Sequence, residues 1–331
     1  MSTQAAQEGD LAAVIGLEVH VQLETETKIF CGCSTEPTEE PNTNVCPVCL
    51  GLPGALPVLN EGAVEAAVKV GKAIDAEIPE ETRFHRKNYY YPDLPKNFQI
   101  TQYDEPICRD GELEVSVEGE RRTVRIRRAH LEEDPGSLQH VGGGIDTATH
   151  TRGNYNRAGT PLMEIVTKPD FRRPAEARAF LAKLEEVLEY LGVFDSQRDG
   201  SLRVDANLSI IPEDEIDDEG AISEETLEDA NRTEVKNISS HKGAETALAY
   251  EETRQKNLIR RGKGVQQETR HFNETHGSTV SMRSKEEEKD YRYFREADLP
   301  PLEVSHWKEE LSIPELPDAR RERFGEEDGL N

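Results

Sequence analysis

Three segments of the chain combine charged side chains with a strand-like pattern. Residues 14–23 and 201–210 alternate apolar and polar side chains, the period of two that is typical of β-strands, and residues 232–237 place charged side chains on one side. The polar faces carry, in chain order, Glu18, His20, Gln22, Arg203, Asp205, Asn207, Arg232, Glu234 and Lys236. Each of the three predicted strands therefore presents a charged face.

Further carboxylates extend this set. Glu132, Glu133 and Asp134 follow a basic strand-like stretch, residues 125–130, and Glu164 lies in another strand-like segment. Carboxylates that converge on one site hold divalent cations, and Mg²⁺ binds through a few carboxylates plus the oxygens of substrate phosphates. Each acid alone is better explained by a solvated face. Acids beside Arg and Lys on the same strands make a nucleotide site credible, because the cations neutralise phosphoryl charge.

Four of the five cysteines form two close pairs. One residue separates Cys31 from Cys33, two separate Cys46 from Cys49, and 12 residues lie between the pairs. Four thiolates at this spacing can surround a tetrahedral ion, and structural zinc is the usual occupant. The alternative is two pairs of free thiols in a reducing cytosol. Cys108 stands alone and is interpreted as a small apolar residue, since nothing near it in sequence would activate a nucleophile.

Two stretches interleave tyrosines with basic residues. Residues 86–104 hold four tyrosines among prolines, lysines and amides, and residues 281–294 place Arg283, Lys285 and Arg292 near two more. Such stretches can stack on bases or line a polar passage. The alternative is a pair of rigid loops packed on the core.

Several nucleotide and nucleophile motifs are absent from the sequence. It contains no G-x-x-x-x-G-K-[ST], no strand-linked G-x-G-x-x-G and no G-x-S-x-G. A P-loop, a Rossmann site and a serine elbow are therefore not expected. Residues 142–144, three glycines, are better explained by a flexible hairpin loop than by a phosphate cradle.

Helices are predicted between the strands. One follows the cap residue Asn60 to about residue 76, a second runs from Pro174 to the closing Gly192, and a third covers about 241–261. Strands and helices follow one another without a regular βαβ repeat. The sequence therefore predicts an α+β fold with a mainly antiparallel sheet and flanking helices.

The chain of 331 residues is strongly acidic, with 66 Asp and Glu against 40 Lys and Arg and a net charge of −26. Taken alone, this charge argues against a nucleic-acid or anionic-membrane partner. Its spread along the chain indicates a surface adapted to concentrated salt, and an acidic surface for a specific partner is the alternative. Residues 212–230 hold ten acids and no basic side chain between Glu213 and Asp229. We expect a solvated, nearly disordered loop there rather than a cation site.

No feature of the sequence predicts a membrane segment. No stretch approaches 18 consecutive apolar residues, and residues 1–10 lack both the basic and the apolar region of a signal peptide. A cytoplasmic protein without a membrane partner is expected.

Long motifs follow one another in an order that resembles one family. In chain order they are VIGLEVHVQL, CPVCLGLPGALPVLN, RKNYYYPDLPKNFQI, HLEED, NYNRAGTPLMEIV, GSLRVDANLS, RTEVKN, QETR and SMRSKEEEKDYRYF. The family is that of the B subunit of the tRNA-dependent amidotransferase, GatB, and the charge resembles that of a haloarchaeal member. The resemblance runs from about Val14 to Leu302.

The resemblance implies a ligase that forms carbon–nitrogen bonds with glutamine as the amido donor. Members of the family use ATP to phosphorylate the side-chain carboxylate of Asp or Glu misacylated on tRNA(Asn) or tRNA(Gln). Ammonia from the A subunit, a glutaminase, then displaces the phosphate, and a small C subunit ties A and B together. The family's cradle domain is similar in fold to glutamine synthetase, whose carboxylates also hold Mg²⁺ around an acyl phosphate.

Site residues are carried over by motif. The implied catalytic, Mg²⁺-binding residues are Glu18, His20, Glu132, Glu133 and Glu164, with Asp205 in support. Lys96, Arg203 and Lys236 are the implied contacts to the phosphates of ATP. The cysteine quartet matches the zinc-binding form of the family and implies a structural Zn²⁺.

Domain boundaries follow from the same resemblance. We expect residues 1–13 to be a flexible N-terminus, 14–300 to form the catalytic cradle domain, and 301–331 to begin a helical domain. The tail domain that grips tRNA in the family is expected to be missing from this chain.

Two other functions remain open at this point. One is a zinc-stabilised scaffold that binds RNA without chemistry of its own, whose RNA affinity would not depend on ATP. The other is a metal-dependent hydrolase of carboxylate substrates that needs no ATP. Dependence of the activity on ATP and on the carboxylates separates the three hypotheses.

Overall fold

The computed structural model describes residues 10–143, 148–198, 200–217, 220–283 and 291–328. The strands in these ranges are β1 (Leu11–Gln22), β2 (Glu81–Thr82), β3 (His85–Asn88), β4 (Phe98–Thr101), β5 (Cys108–Val117), β6 (Glu120–Glu133), β7 (Ser137–Val141), β8 (His150–Asn154), β9 (Pro161–Thr167), β10 (Leu202–Pro212), β11 (Thr233–Ile238), β12 (Glu268–Asn273), β13 (Ser278–Arg283), β14 (Phe294–Arg295) and β15 (Leu302–Glu303). The helices are α1 (Glu61–Ala73), α2 (Pro174–Tyr190), α3 (Glu224–Asp229), α4 (His241–Arg260), α5 (Ser305–Glu310) and α6 (Pro317–Asp328).

An eight-stranded sheet with the order β13-β12-β11-β10-β1-β9-β6-β5 dominates the structure. Its neighbouring strands are antiparallel except for β11 and β12, which run parallel. Smaller sheets pair β14-β3-β4, β15-β2 and β7-β8. The predicted α+β fold with a mainly antiparallel sheet is confirmed.

The two faces of the large sheet differ in polarity. Ile15, Leu17 and Val19 of β1 are buried in one hydrophobic core together with apolar residues of α1, α2 and α4. Since successive side chains of a strand point to opposite faces, Glu18 and His20 lie on the other, polar face. The alternation read from the sequence therefore places the candidate site on the side of the sheet away from the core.

Local signals set the ends of the flanking helices. The Asn60 side chain accepts a hydrogen bond from the backbone N–H of Ala63, and Ser240 caps α4 in the same way. Pro174 occupies the first turn of α2, where its missing N–H costs nothing. The three predicted helices are confirmed, although α1 ends at Ala73, three residues earlier than expected.

The expectation of a nearly disordered loop over residues 212–230 is wrong for the described part of that segment. It holds a 3₁₀ turn at Glu213–Glu215 and helix α3. Ser223 accepts a hydrogen bond from the N–H of Thr226, and acids in the first turn of α3 interact favourably with the helix dipole. A cap and well-placed charges therefore order a segment whose composition alone favours disorder.

Some predictions fall outside the described residues. These are the structure of residues 1–9, of Gly144 in the glycine run, and of Lys285. β1 begins at Leu11, within the predicted flexible N-terminus, and α5 and α6 occupy the predicted start of a helical region. Within the described ranges, no helix combines the length and the apolar character that crossing a bilayer requires.

Candidate active site

A row of three side chains crosses the polar face of the sheet. His20 of β1 lies opposite Glu164 of β9, which lies opposite His130 of β6 on its other side. Cβ atoms of directly opposed residues are about 5 Å apart. Strand pairing alone therefore sets two imidazoles against one carboxylate. The Nε2 atoms of His20 and His130 are 3.3 Å and 3.8 Å from the same oxygen of Glu164.

Glu132 completes what we call the carboxylate–histidine cluster: His20, His130, Glu132 and Glu164. Glu132 stands two residues after His130 on β6 and so shares its face. One of its oxygens is 3.7 Å from Nε2 of His20, and the other is 4.0 Å from Nε2 of His130. The ligand atoms of His20, Glu132 and Glu164 all lie within 4.8 Å of one another. Small side-chain adjustments would let a single cation contact all three.

Burial and charge shift the pKa values in this cluster. Burial, together with the neighbouring Glu164 carboxylate, raises the pKa of Glu132 to about 7. Burial lowers the pKa of His130 to about 4. For His20, burial acts downward, but the hydrogen bond and charge of Glu164 and the charge of Glu132 outweigh it and raise the pKa to about 9. Two buried carboxylates thus favour a positive partner, either protonated His20 or a bound cation.

A second polar group continues along β1, β10 and β11. Asn207 donates a hydrogen bond of 2.8 Å to Glu18. The Lys236 ammonium lies 2.5 Å from Asp205 and 3.4 Å from Glu234. Burial and the surrounding carboxylates raise the pKa of Glu18. The acidic surface therefore extends beyond the carboxylate–histidine cluster, with Lys236 set between two of its acids.

These two groups form the floor of a cavity of about 690 Å³, a size typical of small-molecule sites. The walls include polar and aromatic side chains of Lys87, Thr101, Gln102, Arg127, Arg128, Arg232, Gln267, Thr269, Tyr291 and Tyr293. The two tyrosine-rich stretches meet at one wall, where the Tyr103 and Tyr293 rings stack at 4.2 Å and the Lys87 ammonium lies 4.6 Å from the centre of the Tyr291 ring. The structure thus places the described parts of both stretches beside the cavity.

The cysteine quartet forms a separate cluster. The four Sγ atoms of Cys31, Cys33, Cys46 and Cys49 lie within 4.8 Å of one another, and all four are free thiols. The Sγ atoms of Cys46 and Cys49 are 3.9 Å apart. Sulfurs placed tetrahedrally at about 2.3 Å from zinc lie about 3.8 Å from each other. The spacing of these thiols therefore fits a zinc ion.

Comparison with known proteins gives the family. A family model described as the GatB/GatE catalytic domain matches residues 13–309. The chain belongs to this family. It is 77% identical, over its whole length, to the B subunit of the aspartyl/glutamyl-tRNA(Asn/Gln) amidotransferase of Natronomonas pharaonis, and 74% identical to that of Haloarcula marismortui. It covers 67% and 68% of those relatives.

A more distant relative agrees. The B subunit of the same amidotransferase from Methanospirillum hungatei is 55% identical over 97% of this chain, which covers 64% of that relative. The chain thus spans about two thirds of the length of these relatives. The resemblance to GatB inferred from the sequence motifs is confirmed.

The structure brings most of the residues predicted from the GatB resemblance into one place. Those that line the cavity are Glu18, His20, Glu132, Glu164, Asp205 and Lys236. Three other predicted site residues do not line the cavity: Glu133, Lys96 and Arg203. They engage buried or partly buried ion pairs that leave little charge available to a ligand.

Glu133 lies on the opposite face of β6 from Glu132, because neighbours on a strand alternate. Its carboxylate accepts a 2.8 Å hydrogen bond from the N–H of Ile100 and lies 2.5 Å from the Lys96 ammonium. Both side chains are at least nine-tenths buried. Within the described structure, the predicted Mg²⁺ ligand and the predicted phosphate contact therefore bind each other.

Arg203 is held by Asp134, a carboxylate that was not among the predicted site residues. The guanidinium donates a 2.7 Å hydrogen bond to the fully buried Asp134 carboxylate. Asp134 also accepts a hydrogen bond from Gln22 at 2.9 Å and lies 3.0 Å from Nε of Arg157. The acid thus joins β1, β10 and the turn before β9 at the end of β6.

Sequence reasoning also underrated several residues of the cavity. They are Lys87, Arg128, His130, Asn207 and Glu234. The signal was available for two of them, since His130 and Arg128 stand two and four residues before Glu132 and share its strand face. The alternation that places Glu132 on the polar face therefore predicts the same face for both.

Replacing Lys96 with Met tests whether the buried ion pair between Lys96 and Glu133 stabilises the fold. Loss of the ammonium leaves the Glu133 carboxylate buried without its charge partner, so unfolding free energy should fall by about 3–5 kcal/mol. Urea denaturation measures this change. Adding Glu133→Leu to the variant should recover much of the loss, because the pair is then replaced by apolar groups. A Lys96→Met protein of unchanged stability would show that the pair contributes nothing.

Proposed function

We propose that this chain is the catalytic part of the B subunit of a glutamine-dependent aminoacyl-tRNA amidotransferase. In this proposal ATP phosphorylates the side-chain carboxylate of Asp-tRNA(Asn) or Glu-tRNA(Gln), and ammonia then displaces the phosphate to give the amide. The observation that carries it is the convergence of His20, Glu132 and Glu164 on the floor of a cavity whose walls are basic. The names of the amidotransferase relatives support the tRNA substrate.

Charge is the physical argument for a phosphoryl-transfer site. Buried carboxylates repel the anionic phosphates of ATP and the anionic acceptor carboxylate unless cations lie between them. His20, Glu132 and Glu164 would hold a Mg²⁺ ion, with Glu18 and Asp205 beside them. When bound, such an ion neutralises phosphate oxygens and orients the group that is transferred.

The chain's own residues supply positioning around that ion. His130, whose lowered pKa keeps it neutral, stands against Glu164 and limits its movement. Lys236 is fixed between Asp205 and Glu234 at the far end of the floor. Tyr291, Tyr293 and Lys87 form a polar wall along which a small molecule such as ammonia could approach.

The partners and the second metal belong to the same proposal. A glutaminase A subunit would release the ammonia, a small C subunit would hold A and B together, and the misacylated tRNA would be the substrate. The cysteine quartet would hold a structural Zn²⁺ outside the cavity. We propose that residues 14–300 form the catalytic domain and that the helices after Val304 begin the next region.

The test uses the assembled complex with full-length subunits. Release of phosphate from [γ-³²P]ATP should depend on both Mg²⁺ and Asp-tRNA(Asn) or Glu-tRNA(Gln), and uncharged tRNA should not support it. Amide formation on the tRNA identifies the substrate. Metal-dependent hydrolysis of a carboxylate substrate without ATP would favour the hydrolase alternative, and RNA binding without ATP turnover would favour the scaffold.

A further inference from the structure

Two consecutive arginines, Arg127 and Arg128, face the cavity because β6 contains a β-bulge. Residues 126 and 128 of β6 pair with the adjacent residues 167 and 166 of β9, so Arg127 is the extra residue. The bulge shifts the alternation of side chains by one residue. Ile126 before the bulge and Ala129 after it both face the core, although they are three positions apart. A bulge re-aims side chains and is frequent beside active sites. Here it presents two guanidinium groups to one cavity.

The cations that the sequence predicts as phosphate contacts are already neutralised. Lys96 pairs with Glu133, Arg203 pairs with Asp134, and Lys236 lies between two carboxylates. Each of these contacts is 3.4 Å or shorter. A group that must bind the charge developing on a transferred phosphoryl group needs donors that the protein itself does not already satisfy.

Arg128 has such donors. Its contact with the Glu164 carboxylate is 3.9 Å, measured from Nη2 to the nearer oxygen, which is longer than a hydrogen bond. Its Nε atom is buried and has no hydrogen-bond partner in the described part of the chain. An unsatisfied buried donor is costly and uncommon, and a ligand oxygen is one thing that can satisfy it. The same side chain borders the carboxylate–histidine cluster.

We propose that Arg128 is a catalytic residue that contacts the phosphoryl group during its transfer. This inference rests on the proposed function and assigns to that reaction a residue absent from the predicted site. The guanidinium offers a planar fork of N–H donors that matches two phosphoryl oxygens, whereas an ammonium offers a point charge. In this proposal Glu164 lies between His20, which helps hold the metal, and Arg128, which holds the phosphoryl group.

The test replaces Arg128 with Gln in the full-length subunit of the assembled complex. We expect kcat for tRNA-dependent ATP hydrolysis to fall about 10²-fold, as for the loss of one preorganised donor. The KM for ATP should change little. Arg128→Lys should regain only a small part of the rate, since it restores charge without the fork. Mn²⁺ affinity, measured by titration, should stay near that of the wild type, because Arg128 is not a ligand.

Arg125→Gln is the matched control on the same strand. Arg125 forms its ion pair with Asp170, 2.6 Å away, and should leave turnover unchanged when replaced. A wild-type kcat for Arg128→Gln, or a rise in KM alone, would overturn the proposal. If the wild-type complex itself shows no ATP hydrolysis with misacylated tRNA, the proposed function fails instead.

A measurement without variants covers the case in which Arg128→Gln does not fold. Phenylglyoxal modifies arginines, and mass spectrometry locates the modified positions in the wild-type complex. ADP with aluminium fluoride, a mimic of the transferred phosphoryl group, should protect Arg128 and leave Arg125 reactive. Equal modification of Arg128 with and without the mimic would contradict the proposed contact.

Discussion

Replacing Glu164 with Gln should lower ATP-dependent turnover of the assembled complex by about 10³-fold, with the fold intact. Glu164 is central to the carboxylate–histidine cluster, since one of its oxygens faces both His20 and His130 and the other lies 3.9 Å from Arg128. The amide keeps the shape of the side chain and removes its charge. Without that charge, the remaining ligands bind a divalent cation more weakly.

Two measurements show whether the lower turnover of Glu164→Gln results from weaker metal binding or from another cause. Titration with Mn²⁺ should show weaker binding to Glu164→Gln, and high Mg²⁺ should restore part of the turnover. Glu133→Gln is the control, because Glu133 is paired with Lys96 on the other face of β6. That variant should bind Mn²⁺ like the wild type while losing stability. Wild-type Mn²⁺ affinity in Glu164→Gln would remove this residue from the proposed metal site.

The floor of the site was predictable because strand alternation is a local property. A period of two along residues 14–23 places Glu18 and His20 on one face whatever the rest of the fold does. The same rule, applied strictly, separates Glu132 from Glu133. The prediction that both bind the metal followed the family motif rather than the alternation. In the structure these neighbours lie on opposite faces of the strand.

The cations proposed to bind phosphate were less predictable because charge pairing is a tertiary property. No residue near Lys96 in the sequence predicts that Glu133, 37 positions away, neutralises its charge. Arg203 likewise meets Asp134 only when β10 and the end of β6 come together. The bulge at Arg127 depends on how β6 and β9 pair. Which cation is available to a ligand is therefore decided by the folded structure.

The net charge of −26 describes the solvent-facing surface better than it describes the cavity. Acids inside the protein are paired or hydrogen-bonded, as Glu133 is with Lys96 and Asp134 with Arg203. The cavity brings together basic groups from β3, β6 and β11, including Lys87 and Arg128. A strongly acidic chain thus presents cations where an anionic substrate would bind, which reconciles its overall charge with the proposed tRNA substrate.

A fully buried lysine supports the cysteine quartet. The Lys28 ammonium donates a 2.7 Å hydrogen bond to the carbonyl oxygen of Asn44 and lies 3.4 Å from that of Tyr155 and 3.6 Å from Sγ of Cys49. Hydrogen bonding with Cys31, joined by the Lys28 charge, lowers the pKa of the Cys49 thiol to about 4 against the effect of burial. Four thiolates around Zn²⁺ carry a net charge of −2, and a buried cation offsets part of it.

Lys28→Met should therefore reduce both the stability of the protein and the retention of the proposed Zn²⁺. The variant leaves two partly buried carbonyl oxygens and the thiolates without their cation, at a cost of about 3–5 kcal/mol. Zinc transfer to a chromophoric chelator should become about tenfold more favourable, as for the loss of other outer-shell partners. Thermal unfolding by circular dichroism and chelator absorbance measure the two effects.

Lys72→Met is the matched control, because Lys72 also donates to a carbonyl oxygen, that of Leu311 at 2.6 Å, and lies on α1 away from the cysteines. It should lose some stability and keep its zinc. If Lys28→Met lost stability but transferred zinc at the wild-type rate and extent, the lysine would serve only to join residue 44 to residue 155. Weaker zinc retention in Lys28→Met but not in Lys72→Met would instead show that the buried charge of Lys28 acts on the proposed metal site. The control removes a comparable hydrogen bond but no cation beside the thiolates.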